Sequence, residues 1–374
     1  TRKMKRSLSG ESFKSPVSRW VPARIRDLSL YPASTGKGML KLDAMENPYV
    51  WPEDIRRLWQ QELHKVPLNC YPDPQASALC EQLKKWCGLN SNVGLMLGNG
   101  SDELIQIIAM TLGGPDRVIL APEPSFAMYS LIAQVIGAQY VGVRRTANFD
   151  IDLPALLDAI DEHNPCCIFL AHPNNPTGNL CTPEVVERVL DAAGGLVVLD
   201  EAYHAFSRST FLDLVGDHDN LIVIRTFSKL GLAALRLGFL AGPKDWLAEF
   251  NKVRLPYNIN TLTQASVCFA LHHMDWFEGR AALIRDERTR LLRALEGVPG
   301  LTVYPSAGNF LLVRTPAGSG QAVFEGLKDG GILVKNLHSA HPALAECLRV
   351  TVSTREHNES LYKLLSEVLA QLGR

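Results

Sequence analysis

Leu196-Val197-Val198-Leu199-Asp200-Glu201-Ala202-Tyr203 decides the architecture. Four apolar residues in a row, with no polar alternation, fit a strand covered on both faces. Similar short runs recur at Val118–Leu120, Tyr140–Val143, Cys167–Leu170, Leu221–Ile224 and Phe239–Ala241. Segments with helical spacing, such as Pro154–His163 and Pro183–Ala193, separate most of them. This alternation predicts an α/β domain with a mostly parallel sheet flanked by helices. In such open sheets, ligands bind beyond the C-terminal strand ends. Three runs end in suitable chemistry: His172-Pro173-Asn174-Asn175-Pro176-Thr177-Gly178, Asp200-Glu201-Ala202-Tyr203, and Arg225-Thr226-Phe227-Ser228-Lys229.

The pattern changes further along. Thr261–Leu295 has few breakers and reads as one long helix, open to an interruption. Strands are expected at Thr302–Tyr304, Phe310–Val313, Ile332–Val334 and Leu348–Val352. Helices are expected near Gln321–Lys328 and His357–Leu372, making a smaller α+β domain. The expected divisions are a basic, disordered extension over 1–17 and an N-terminal segment over 18–70 packing on both domains. A large domain over 71–258 follows, then a long helix and small C-terminal domain over 259–374.

Composition narrows the function. The chain has 374 residues, 46% hydrophobic and 21% charged, enough for a sizeable core. A net charge of −1 argues against a nucleic-acid partner. The charge is uneven: residues 1–26 carry +7 and the remainder −8. No apolar run approaches the length of a membrane span, and the sparse cysteines, read as reduced thiols, lead to the expectation of a cytoplasmic protein. Eight cysteines without a C-x-x-C pair fit reduced thiols rather than a disulfide scaffold or zinc site. H-E-x-x-H and G-x-S-x-G are both missing from the sequence, and no metal is expected.

Gly98-Asn99-Gly100-Ser101 follows an apolar run and precedes the apolar segment Asp102–Leu112. A glycine turn at a helix N-terminus suits an anion, although an ordinary capped turn accounts for it equally well. Thr226, Ser228 and Arg236 around Lys229 suit a phosphate dianion. A nearby cation and partial desolvation would lower the lysine pKa, as an amine nucleophile requires. A solvated loop lysine is the plain alternative. Asp200 closes a strongly apolar strand, where a carboxylate needs a cation or hydrogen bonds. A protonated pyridine nitrogen would serve, and so would a capping role for the aspartate.

In their order along the chain, these elements and a late Arg349-Val350-Thr351-Val352 resemble the fold-type I pyridoxal-phosphate aminotransferases. The resemblance runs from about Ser18 to the C-terminus. Within that superfamily four stretches are similar to the histidinol-phosphate aminotransferases. They are Leu42-Asp43-Ala44-Met45-Glu46-Asn47-Pro48-Tyr49, Tyr71-Pro72-Asp73-Pro74, Gly308-Asn309-Phe310 and Cys347-Leu348-Arg349-Val350-Thr351-Val352.

The resemblance implies transamination between L-histidinol phosphate and 2-oxoglutarate, giving imidazole acetol phosphate and glutamate in histidine biosynthesis. It implies pyridoxal 5'-phosphate held covalently by Lys229, which also moves the proton. Asp200 would keep the pyridine nitrogen protonated. Tyr203 and Asn175 would bond the ring hydroxyl, and Phe126 would stack on the ring. Gly100, Ser101, Asp102, Thr226, Ser228 and Arg236 would hold the phosphate. Tyr71 would reach that phosphate from a neighbouring subunit, which implies a homodimer. Arg349 would bind the substrate carboxylate or phosphate, with Lys335, Tyr49, Glu46 and Asn175 completing the pocket.

Three positions depart from the family pattern. Lys335 stands where an arginine is common, giving a point charge in place of a fork. Met45 stands where many relatives have Asn, and Lys229 and Arg236 are seven rather than eight residues apart. An aminotransferase for aromatic amino acids or a phosphothreonine decarboxylase would share the cofactor residues and differ in the pocket.

Overall fold

The computed structural model describes residues 15–30 and 35–373. The rest of the basic head lies outside the described residues. Residues up to Thr35 form a unit of their own, with short helices at Pro16–Trp20 and Ala23–Arg26. Ser15 caps the first of these, its Oγ accepting from Ser18 N at 3.2 Å.

Gly36–Arg374 form the second compact unit. Its strands are β1 (Leu40–Lys41), β2 (Val93–Gly98), β3 (Val118–Glu123), β4 (Gln139–Arg144), β5 (Cys167–Ala171), β6 (Leu196–Asp200) and β7 (Leu221–Thr226). They continue as β8 (Gly238–Pro243), β9 (Thr302–Tyr304), β10 (Phe310–Arg314), β11 (Ile332–Leu333), β12 (Lys335–Asn336) and β13 (Cys347–Thr351). A seven-stranded sheet has the order β2-β8-β7-β6-β5-β3-β4, and an antiparallel four-stranded sheet the order β12-β13-β10-β9.

Within the large sheet only β8 runs against the other strands. The segment from Phe227 to Leu237 carries two tight helical turns and folds straight back, so β8 pairs antiparallel with β7. Strand direction of this kind is not written in the apolar content of Phe239–Ala241.

The apolar strands serve two cores at once. Val198, Ile222 and Ile224 face one layer, with the helices Ser101–Leu112, Met128–Ile136 and Lys244–Val253. Val197, Leu199, Leu221 and Val223 face the other, with Leu153–His163 and Pro183–Ala192. The period of two therefore sorts side chains between layers even where every residue is apolar.

The long helical stretch is interrupted. Helices cover Thr261–Leu271 and Met274–Glu296, and His273 between them leaves helical geometry at φ −122°, ψ 24°. His272 Nδ1 lies 2.8 Å from the Cys268 carbonyl oxygen, closing the first helix. The run at Ile332–Val334 is also divided. β11 pairs in parallel with β1, and β12 then pairs with β13. No helix among the described residues is long and apolar enough to cross a membrane.

Candidate active site

Consecutive acids at the end of β6 must face opposite layers, and each finds a different partner. Asp200 shares parity with Val198, so it meets the layer containing Tyr129. The Tyr129 hydroxyl donates to Asp200 Oδ2 at 2.7 Å, and Ala202 N donates to Oδ1 at 3.0 Å. Glu201 falls on the Leu199 side, where Arg225 of β7 has the same parity as Val223. Arg225 donates to Glu201 at 2.9 Å in a fully buried pair, with Thr210 and the Phe211 amide completing the carboxylate's bonds.

Asp200 is only 5% exposed. Burial raises its pKa to about 6, opposed by the bonds from Tyr129 and Ala202. None of the ion pairs among the described residues includes Asp200. A buried carboxylate with donors but no cation suits a protonated ring nitrogen.

Lys229 is half-buried and donates from Nζ to the Ala44 carbonyl at 3.0 Å. Its ammonium lies 5.8 Å from the centre of the Tyr203 ring. Burial lowers its pKa to about 8, with Arg349 the next contributor and Arg236 a smaller one. Such an amine is poised to attack an aldehyde near neutral pH.

Thr226, Ser228 and Arg236 come together in a polar cup of a kind that could take an anion. The two hydroxyls are 3.0 Å apart, and Arg236 Nη1 donates to Ser228 Oγ at 3.1 Å. Arg236 Nη2 also reaches Asp102 at 3.5 Å. Gly100 precedes the helix Ser101–Leu112 at φ +83°, and a Cβ there would lie 2.5 Å from Arg236 Nη2. The glycine thus serves both the turn and the close approach of the guanidinium. The first turn of that helix, including Ser101 and Asp102, has amides without intrahelical partners, as any helix N-terminus does. The shorter spacing between Lys229 and Arg236 is accommodated by the two tight turns and by Arg236 itself, at φ +49°.

The small sheet carries Arg349 and Lys335, the two cations expected on the substrate side. Arg349 on β13 is buried and donates to Asn175 Oδ1 and, at 2.8 Å, to the Asp43 carbonyl. Lys335 on β12 stands in register opposite Arg349. Burial lowers the Lys335 pKa, and Arg349 adds to the effect.

The remaining predicted residues distribute as follows. Tyr203 is buried, and its hydroxyl donates to Met45 Sδ at 3.2 Å. Phe126 lies edge-on to Tyr129, with ring centres 5.6 Å apart. Glu46 is engaged by Lys41 at 3.1 Å, and Tyr49 lies beneath the Arg280 guanidinium at 5.4 Å. Tyr71 is 81% exposed and stacked on Tyr257 at 4.6 Å. Sequence reading passed over Tyr129 and Arg225. The two adjacent acids were the available signal, because each needed a partner on its own face of the sheet.

An amine of lowered pKa, a buried carboxylate lacking a cation and a polar cup would together suit a phosphorylated pyridine aldehyde. Consistent with that, the sequence profile of aminotransferase class I and II matches residues 37–365. The chain belongs to this aminotransferase family. It is 46% identical over 352 residues to histidinol-phosphate aminotransferase 2 of Nitrosococcus oceani, covering 94% of this chain and 98% of that one. It is 47% identical to histidinol-phosphate aminotransferase 1 of Ralstonia nicotianae, covering 93% and 94%. Its fold matches the crystal structure of histidinol-phosphate aminotransferase from Sinorhizobium meliloti in complex with pyridoxal-5'-phosphate. That match has a TM-score of 0.83 and 24% identity, covering 98% of this chain and 100% of that one.

Proposed function

We propose that this aminotransferase uses pyridoxal 5'-phosphate to move the amino group of L-histidinol phosphate to 2-oxoglutarate. The products would be imidazole acetol phosphate and glutamate, a step of histidine biosynthesis. The observation that carries the reading is the identity of 46–47% to histidinol-phosphate aminotransferases over more than nine-tenths of the chain. The paired cations of the small sheet support it, because both substrates are anions.

When bound, the cofactor supplies an aldehyde for the amino group and a ring that delocalises the developing negative charge. Lys229 would hold that aldehyde, and its free amine would serve as the general base and acid that moves the proton. Asp200 holds the ring nitrogen protonated. Tyr203 and Asn175 bond the ring hydroxyl, and Phe126 covers a ring face. Gly100, Ser101, Asp102, Thr226, Ser228 and Arg236 hold the phosphate. Arg349 grips each substrate's anionic group in turn through its planar fork, with Lys335 adding a second charge. Tyr49 and Glu46 line the entrance.

We further assign Tyr71 to the phosphate of a neighbouring copy, in a cytoplasmic homodimer. Tyr71 belongs to an exposed apolar group with Leu68, Leu255 and Tyr257, which a second chain would cover. The purified protein is expected to carry a visible absorption band that shifts on addition of glutamate or histidinol phosphate. A protein reconstituted with pyridoxal phosphate that shows neither band nor shift would overturn the reading.

A further inference from the structure

Asp200 is held by a residue that the family resemblance did not supply. Tyr129 stands in the first turn of the helix Met128–Ile136 and is itself buried. Its ring lies flat against Phe169 of β5, with centres 4.6 Å apart and planes 6° from parallel. Phe126 closes its edge. The ring therefore has little freedom, and its hydroxyl reaches Asp200 Oδ2 at 2.7 Å. The Ala202 amide takes the other oxygen, so each carboxylate oxygen has a donor and the plane of the carboxylate is fixed.

We propose that Tyr129 is the positioning residue of Asp200: its hydroxyl sets the direction of the carboxylate and keeps it ionised for the cofactor's ring nitrogen. This rests on the site reading given above. Hydrogen bonds to a buried carboxylate favour its charged form. Without the phenol the carboxylate becomes a stronger base. It then draws the proton from the ring nitrogen and weakens the ring as an electron sink. Other groups bear on the pair. Asp102 and Glu201 both disfavour the charge on Asp200, and Glu201 is itself neutralised by Arg225. Tyr140 and Tyr203 lie near Tyr129, and Arg145 is close enough to feel its charge.

The test compares holoenzymes carrying Tyr129→Phe, Asp200→Asn and 3-fluorotyrosine at position 129. Phenylalanine keeps the stack on Phe169. Its expected effect is about a tenfold fall in kcat with KM for the amino donor nearly unchanged, as for loss of one bond to a charged group. The acid limb of the kcat profile should move up by about one pH unit. Fluorotyrosine is a stronger donor and should move that limb down. Difference-infrared titration of the full chain without cofactor, each protein against Asp200→Asn, reads the carboxyl proton itself. Its midpoint should follow the same two directions. If Tyr129→Phe fails to fold, the fluorotyrosine shift alone decides the matter. Unchanged profiles and midpoints in both Tyr129 proteins, with Asp200→Asn inactive, would overturn the proposal and leave the site reading intact. Full activity in Asp200→Asn would overturn the site reading instead.

Discussion

Arg349 and Asn175 are bonded to each other, guanidinium Nη1 to amide Oδ1. The contact ties β13 of the small sheet to the loop that follows β5 of the large one. With its oxygen turned to Arg349, the Asn175 amide directs its NH2 group the other way, where a cofactor hydroxyl could accept. The same guanidinium holds the Asp43 carbonyl at 2.8 Å. One side chain thus fixes Asn175 and, under the proposed function, would also present charge to the substrate.

Arg349→Ala is therefore expected to weaken both half-reactions. Loss of charge-assisted bonds should raise KM by roughly 10- to 100-fold for the amino donor and for 2-oxoglutarate. Steady-state kinetics with each substrate varied in turn checks this. An effect confined to one substrate would contradict a shared anion site.

Lys229 predicts how cofactor capture depends on pH. Its pKa is lowered from 10.5 to about 8, so the amine is largely protonated below that value. Capture of pyridoxal phosphate by the cofactor-free enzyme should rise about tenfold per pH unit up to the pKa, then level off. Arg349→Gln removes a neighbouring cation and should move the bend to higher pH. Stability follows the same sign. Between about pH 8 and 10.5 the unfolded chain binds more protons at this lysine, so folding stability should rise with pH there.

Gly100→Ala should damage the cup and spare the chemistry. It puts a Cβ 2.5 Å from Arg236 Nη2 at a residue with φ +83°. At φ +83°, ψ 169° the backbone lies in a region open essentially to glycine alone, which costs another residue about 1–3 kcal/mol. Cofactor affinity measured by equilibrium dialysis should fall about tenfold or more, while kcat at saturating cofactor should change much less.

Much of the large sheet was legible because its strands are buried on both faces and so stand out as unbroken apolar runs. The ends of those runs carried Asn175, Asp200, Thr226 and Lys229, which the structure collects at one edge of the sheet. The direction of β8 was not legible, because it depends on how Phe227–Leu237 folds back. Nor was the split between β11 and β12, which follows from β1 pairing along β11. Tyr129 reads in sequence as one more core aromatic on an apolar helix. Only its position under the end of β6 reveals the bond to Asp200. Lys229 was expected among Thr226, Ser228 and Arg236. In the structure Thr226 and Arg236 both bond the Ser228 hydroxyl, and the Lys229 amine donates to the Ala44 carbonyl.

Subunit complementation tests the role given to Tyr71. Lys229→Ala and Tyr71→Ala proteins should each be strongly impaired alone. A hybrid dimer of the two would contain one site with both residues intact, formed by the Lys229 of one copy and the Tyr71 of the other. Mixing and reassembly should restore activity. If Tyr71 served its own chain, no hybrid site would be intact and no activity would return.

The central claim concerns the amino donor. The most direct measurement is kcat/KM of the holoenzyme for histidinol phosphate and phenylalanine, with 2-oxoglutarate as acceptor and glutamate formation as readout, and for phosphothreonine, with CO2 release as readout. Histidinol phosphate should give the highest value of the three, with one glutamate formed per donor consumed. Negligible turnover of histidinol phosphate, alongside clear turnover of either other donor, would contradict the account.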